Sequence, residues 1–439
     1  MAKMYKVGWY YKILRVYTNY IFKKWFSSVE INGLGYVPDK GSVIFAPNHQ
    51  NALMDAMALL VSSPSPVVFL ARADLFKRKV INFLLRSIKI MPAYRMRDGI
   101  QNLKKNDASF DSAVEVLLHD HFFCLMPEGG QDVYRRLRPL VKGMFRIAFA
   151  AQEKLPEGES VLIVPTGIDY GNYDRSGHHL VVSFGKPIHV SKYIESFREN
   201  APVAQNRLRD DLAARMSDLM LDIRSQKYYD AFYVAAHLGC VDLLNETDRD
   251  CYDFNETNLL AMRQLIVSDL QKLEETEPDK LVQFAADCAE WKKRHENVEY
   301  AARMKMYGCR LDSDVIRSTL YLIVTLPLFL CSLILNGIPY AIVKLMSLKT
   351  KNSGFEASVA FGLSAVLFPL FYIGYALSFV PMLDGWLLKF CFVLLLPLSF
   401  FFMQRFRYRF RYVKERLKNV FVKDDLADKI RQFVRNCRS

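Results

Sequence analysis

His49 and Asp55, in the stretch His49-Gln50-Asn51-Ala52-Leu53-Met54-Asp55, are the residues of this chain best suited by type and spacing to carry out chemistry. The apolar run Ser42-Val43-Ile44-Phe45-Ala46-Pro47-Asn48 before them reads as a strand. The imidazole then falls at a strand exit and the carboxylate at the start of a helical pattern. An imidazole oriented by a carboxylate is the minimum apparatus for taking a proton from an alcohol near neutral pH. Alone, the pair fits a surface ion pair or a helix cap equally well.

Three later stretches add weight. Ile90-Met91-Pro92-Ala93-Tyr94-Arg95-Met96-Arg97-Asp98 is strand-like and ends in two arginines two residues apart. Leu125-Met126-Pro127-Glu128-Gly129-Gly130 is an apolar strand entering a Glu-Gly-Gly turn, and Val161-Leu162-Ile163-Val164-Pro165-Thr166-Gly167 is a buried strand closed by proline and glycine. In this order and spacing the four blocks resemble the phospholipid/glycerol acyltransferase (PlsC-type) family over residues 30–195. The resemblance implies an α/β domain, a mixed sheet flanked by helices. It also implies transfer of a fatty acyl chain from acyl-CoA or acyl carrier protein to a glycerol-phosphate acceptor, with no metal or organic cofactor.

Carried onto this chain, the resemblance makes His49 the general base and Asp55 the group that fixes its tautomer. It assigns Arg95, Arg97, Glu128 and Gly129 to the acceptor. Guanidinium forks suit a phosphate, and Glu128 can accept from a glycerol hydroxyl. The bland readings are a solvated turn at Arg97-Asp98 and a loop cap at Glu128. Backbone amides at the start of the helix after His49, or in the Glu-Gly-Gly turn, are candidate oxyanion donors.

There are two departures from the family pattern. Five residues separate His49 from Asp55 where four are common, a spacing that resembles the branch acting on glycerol 3-phosphate and dihydroxyacetone phosphate. Many members have Arg-Ser or Ser-His after the Glu-Gly turn; here Gln131-Asp132 follow, and the next basic residues are Arg135, Arg136 and Arg138. Lys142 is a weaker phosphate candidate. His119-Asp120-His121 lacks an obvious third metal ligand, and His178-His179 follows the turn Asp174-Arg175-Ser176-Gly177 and is expected to be exposed. No Gly-x-Ser-x-Gly elbow, Walker loop or Rossmann glycine pattern occurs, which argues against a serine hydrolase, kinase or dehydrogenase.

The elements that must position these residues are expected as strands at 42–47, 67–71, 88–94, 121–126, 160–165 and 180–184. Helices are expected at 52–61, 74–86, 109–119 and 142–152, an α/β alternation over 31–195. The 439 residues leave room for more. Residues 1–30 carry an aromatic, basic amphipathic helix (4–26) suited to the lipid interface. Residues 196–314 are charged, helical and without a motif. Residues 315–404 form a membrane region in which 357–380 and 385–403 are long enough to span. The run 320–343 is broken at Pro327 and Asn336-Gly337-Ile338-Pro339 and is expected as a re-entrant or interfacial hairpin, with three full spans as the competing count. Residues 405–439 read as a basic cytoplasmic tail, on the side of the catalytic domain.

A net charge of +13 calls for an anionic partner. Membrane lipid and a phosphorylated substrate fit; nucleic acid does not, for want of any zinc-finger, zipper or RNA-binding signature. The eight cysteines are scattered and read as reduced packing residues. Nothing in the sequence sets an oligomeric state. The leading expectation is a membrane-bound O-acyltransferase acting on glycerol 3-phosphate or 1-acylglycerol 3-phosphate in phospholipid biosynthesis. The alternative is a non-catalytic lipid-binding or regulatory membrane protein that keeps the fold.

Overall fold

Short apolar runs become strands and the segments between them helices, giving one mixed sheet with helical cover followed by a helical half. The computed structural model describes residues 8–93, 103–172, 175–247, 255–295, 297–306, 313–350, 354–421 and 424–438. The chain divides into two compact units. One comprises Met1–Lys23, Ser28–Tyr170 and His179–Asp222; the other comprises Lys24–Ser27, Gly171–His178 and Ile223–Ser439.

The first unit contains strands β1 (Ser28–Asn32), β2 (Val43–Pro47), β3 (Val67–Arg72), β4 (Ile90–Ala93), β5 (Phe122–Cys124), β6 (Leu162–Tyr170), β7 (His179–Phe184) and β8 (Ile188–His189). The sheet order is β1-β7-β6-β2-β5-β3-β4, with β8 paired to β6. Parallel pairing joins β2 to both β5 and β6, whereas β7 and β8 run antiparallel to β6. The central β2 is buried at every position, so it reads as a continuous apolar run. Around the sheet lie α1 (Trp9–Trp25), α2 (Ala52–Ser62), α3 (Lys79–Ser87), α4 (Leu103–Leu118), α5 (Gly143–Gln152), α6 (Ile194–Glu199) and α7 (Ala201–Ser217). The unit runs on to Asp222, beyond the boundary at 195 expected from composition. Ala204, Leu208, Leu212 and Met216, four residues apart along α7, join its core cluster.

The sequence places the end of β6 at Pro165-Thr166-Gly167, but the strand continues to Tyr170. Pro165 is tolerated because it lies between the stretch paired with β8 (Leu162, Ile163) and the stretch paired with β7 (Thr166–Tyr170). Gly167 is required by a close backbone approach. A Cβ there would lie 2.1 Å from the Leu219 carbonyl oxygen. On α1, Tyr11 and Phe22 are buried, while Trp9, Ile13, Val16 and Tyr20 are exposed on the other face.

The second unit contains α8 (Tyr229–Thr247), α9 (Glu256–Thr276), α10 (Lys280–Arg294), α11 (Val298–Met306), α12 (Ser313–Leu348), α13 (Glu356–Phe379), α14 (Trp386–Phe421) and α15 (Asp425–Asn436). The expected basic tail is therefore not a loose tail. Helix α14 carries through Arg405–Lys418, and α15 docks on the helices that precede the apolar region. Trp291 donates Nε1–H to Asp424 (2.9 Å), Phe433 stacks on Phe284, and Lys429 pairs with Asp287 (2.6 Å).

Helices α12, α13 with the turn after it, and α14 are long and apolar enough to cross a membrane. Helix α12 continues past Pro327 and Pro339, so the chain is not interrupted where a break was expected. It is bent instead. Ser318 lies by Arg409, Ser332 and Asn336 bond to Ser399, and Tyr340 lies under Arg407, back towards the Ser318 end of α14. Contacts Phe368–Phe400 and Phe379–Phe392 show α13 antiparallel to α14. A straight α12 would leave Leu348 about 43 Å along α14 from the start of α13, beyond the roughly 28 Å that eight residues can span. The bend lies at Asn336–Pro339, where Asn336 is fully buried and also accepts from Tyr372 Oη (2.6 Å). Proline in a helix both frees a carbonyl and forces such a kink.

Gly167→Ala is expected to destabilise the chain by about 1–3 kcal/mol, the usual effect of overpacking. Thermal unfolding in detergent measures it. An unchanged Tm would mean that Leu219 moves aside freely.

Candidate active site

His49 leaves the sheet at the end of β2, where the side chain of Asn48 fixes the exit. Its Nδ2 donates to the Ile168 carbonyl (3.0 Å) and its Oδ1 accepts from the Ile168 amide (2.7 Å), so β6 grips the turn like an extra strand residue. Asp55, in the first turn of α2, is fully buried and accepts four hydrogen bonds. Oδ2 takes His49 Nδ1 (2.8 Å) and the amides of Gln50 (2.9 Å) and Asn51 (2.8 Å). Oδ1 takes the Tyr170 hydroxyl (2.7 Å). Four donors suit a carboxylate, which has only acceptor sites. With Nδ1 held by Asp55, Nε2 is the ring nitrogen positioned to receive a proton.

Glu128 is also buried, and its two oxygens bridge two loops. One accepts the His49 amide (2.8 Å), the other the Arg138 amide (3.2 Å). Burial pushes this carboxyl up to about 7, while the two backbone donors pull the other way. Gly129 has φ +66°, and a Cβ there would lie 2.9 Å from Val141 Cγ1, so only glycine fits the turn without strain. Gln131 Oε1 accepts the Ala52 amide (3.0 Å) at the start of α2. The Asp132 amide donates to the His49 carbonyl (3.3 Å). The amides of Gln50, Asn51 and Ala52, offered by the sequence as oxyanion donors, are thus committed within the protein.

Of the basic residues after the turn, Arg135 is buried on Asp169 Oδ1 and the Tyr170 carbonyl. It secures the end of β6. Arg136 pairs with Asp132 (3.4 Å) and lies over the Tyr134 ring. Arg138 reaches the Gln131 carbonyl (3.4 Å) beside Gly130. Lys142 is exposed at the start of α5, and His119 Nδ1 lies 2.8 Å from the Glu115 carbonyl. Arg95 and Arg97 lie outside the described residues. His178 and His179 are buried, contrary to expectation, because the turn before them feeds directly into β7.

Tyr170 is the residue that sequence reasoning missed. Burial, and then the Asp55 charge, push its hydroxyl well above the ordinary phenol range, so it stays a donor. Nothing local to Tyr170 announces its role. The signal would have been the apolar alternation of β6 continuing past Gly167.

A His–Asp pair at the end of the central strand β2, with an adjoining Glu-Gly-Gly turn, is an arrangement that can take a proton from a hydroxyl. Residues 28–169 match the family model described as Acyltransferase. Glycerol-3-phosphate O-acyltransferase 1 of Saccharomyces cerevisiae is 29% identical over 96 residues, which are 22% of this chain and 12% of that protein. The 1-acyl-sn-glycerophosphate acyltransferase PlsC of Thermotoga maritima superposes with a TM-score of 0.36 at 18% identity, covering 48% of this chain and 79% of that one. The match to the yeast enzyme spans only a small part of its length. The α/β unit therefore carries an Acyltransferase domain match over residues 28–169, about a third of the chain.

Tyr170→Phe is expected to lower kcat about tenfold, since a hydrogen bond to a charged group contributes about 1.5–3 kcal/mol. KM for both substrates should barely change. A variant with unchanged kcat would make Tyr170 a packing residue.

Proposed function

We propose that this protein is a membrane-bound O-acyltransferase of phospholipid biosynthesis. It moves a fatty acyl chain from acyl-CoA or acyl carrier protein to the free hydroxyl of glycerol 3-phosphate or 1-acylglycerol 3-phosphate. The observation that carries this reading is the assembled His49–Asp55 pair within a family-matched domain. His49 Nε2 takes the hydroxyl proton as the oxygen attacks the thioester carbonyl. The tetrahedral intermediate then collapses, expelling the thiolate, which recovers the proton from the imidazolium. The acceptor hydroxyl stands where a serine would stand in a triad, so no acyl-enzyme forms and no cofactor is needed. Holding both substrates together can remove roughly 7–11 kcal/mol of barrier.

Arg95 and Arg97 are assigned to the acceptor phosphate. Glu128 and Gly129 support the acceptor site by fixing the loop on which it rests, and Glu128 retains lone pairs for a glycerol hydroxyl. The alternative, a non-catalytic lipid-binding protein, predicts no turnover with any acceptor. The complete set of bonds on Asp55 supports the enzymatic reading.

The membrane arrangement proposed is two crossings, by α13 and α14, with α12 re-entrant. Its support is topological: α15 packs on α8 and α10, and segments of one packed module must lie on one side of a membrane, so an even number of crossings separates them. The basic residues Arg405, Arg407, Arg409, Arg411, Lys414, Arg416 and Lys418 support assigning that side to the cytoplasm. Among the described residues, no helix long and apolar enough to span lies between His49 and this module in the chain. The outward stripe of α1 (Trp9, Ile13, Val16, Tyr20) is assigned to the lipid interface.

Purified full-length protein should acylate at least one member of an acceptor panel from labelled acyl-CoA or acyl carrier protein. His49→Ala should lower that rate about 10²–10⁴-fold, and Asp55→Asn should be severe as well. Near-normal turnover in the histidine variant would reject the assignment. In sealed vesicles, a membrane-impermeant thiol reagent should reach Cys437 and a cysteine placed at Asp384 from opposite faces. Labelling of both from one face would overturn the two-crossing arrangement.

A further inference from the structure

The second unit holds a group of buried polar side chains that the acyl-transfer chemistry does not use. His178 is held by its backbone, with its carbonyl accepting from the Ser27 amide (2.9 Å) and the adjoining Gly177 amide donating to the Trp25 carbonyl (2.8 Å). Its ring is buried and meets Tyr300 of α11 edge-on, with centroids 6.1 Å apart. Both His178 Nε2 and Tyr300 Oη are buried and have no hydrogen-bond partner among the described residues. Such groups are uncommon in folded proteins, and each asks for a missing partner.

The surroundings say which kind of partner fits. Arg303 lies one turn along α11 from Tyr300. A Cβ on Gly177 would meet the Tyr408 ring at 3.6 Å, and Arg411 lies one turn beyond Tyr408 on α14. Arg175 lies three residues before His178 in the same bend. Three carboxylates among the described residues are near, of which Glu299 is buried on α11 directly before Tyr300. Glu256 is bound by Arg303 and faces Arg263, and Glu415 pairs with Lys418 (3.3 Å). Cations are left in surplus. Burial and then the Arg411, Arg303 and Arg175 charges hold the His178 imidazole down to about 3. The ring is neutral at cellular pH and can present one N–H. A phosphate oxygen would accept from the imidazole and the phenol, while guanidinium forks suit its remaining oxygens.

We propose that His178, Tyr300, Arg303, Arg411 and Arg175 form a binding site for a phosphate group, separate from the catalytic centre. Tyr408 and Arg411 follow directly on the apolar part of α14, at the depth where headgroup phosphates meet basic residues. The phosphodiester of an anionic lipid and free inorganic phosphate share the chemistry that this site recognises.

The test uses the full chain in neutral detergent, with Tm followed as phosphatidylglycerol, phosphatidylcholine or inorganic phosphate is added. A ligand that binds only the folded state raises Tm in a concentration-dependent way. Phosphatidylglycerol should raise Tm saturably and phosphatidylcholine should not. A matching rise with inorganic phosphate would identify the free ion as a ligand, and its absence would identify the lipid headgroup; either supports the site. Arg411→Gln and Tyr300→Phe should each weaken the effect about tenfold, as expected for a lost charge-assisted contact. Tyr300→Phe deletes an atom that has no partner, so its unliganded Tm should hold or rise, which separates lost binding from lost folding. Native mass spectrometry should show bound phosphatidylglycerol on the wild-type chain and less on both variants. No shift with any of the three additives, or a shift undiminished in both variants, would overturn the proposal.

Discussion

Asp55 is the point on which the α/β unit turns. Taking a carboxylate out of water costs several kcal/mol even after relaxation, and each hydrogen bond to a charge returns about 1.5–3. Asp55 meets this cost with four donors from three directions: two amides at the start of its own helix, His49 at the end of β2, and Tyr170 at the end of β6. The bonds that make a buried charge tolerable also align the imidazole. Rigidity and reactivity are therefore one requirement at this site. Loosening any one donor would alter the basicity of the ring and the docking of α2 together.

The second buried carboxyl plays a different part. Glu128 draws the Glu-Gly-Gly turn against the His49 backbone, and Gln131 and Asp132 extend that grip to the Ala52 amide and the His49 carbonyl. The departure from the family pattern after the turn has a structural counterpart. Gln131 caps α2, and Arg135, three residues beyond Asp132, turns inward to Asp169 and the Tyr170 carbonyl. The loop thereby serves the Tyr170 end of the site as well as the His49 end.

What was legible in the sequence was local. His49 and Asp55 lie six residues apart, and a strand exit followed by a helical pattern predicts both their places. All six expected strands reappear with their starts within two residues, and one, β6, overruns its expected end. Tyr170 was hidden because it lies 115 residues from Asp55, and because Pro165 and Gly167 carry the composition of a strand ending. Pairing alone shows that proline sits between two partner strands. Strand β1 was missed because all its positions are only partly buried, and β8 because it has two residues. The turn-forming residues before His178 suggested exposure, whereas the strand that follows draws both histidines inside. At Asn336-Gly337-Ile338-Pro339 the residue types did signal a change of direction, which a continuous bent helix achieves.

Helix α15 completes a module whose other helices were synthesised far earlier; Arg431 reaches the Leu238 carbonyl across 193 residues of chain. Between them lies the whole apolar region. On the ribosome, α8 to α10 must therefore wait with Phe284 and the other surfaces that α15 will cover still open to water, until the apolar helices between them have been made. Non-local closure of this kind is slow and leaves apolar surface available to chaperones and proteases meanwhile. Docking of α15 thus requires the chain on both sides of the apolar region to have come together, and until then Phe284 stays uncovered.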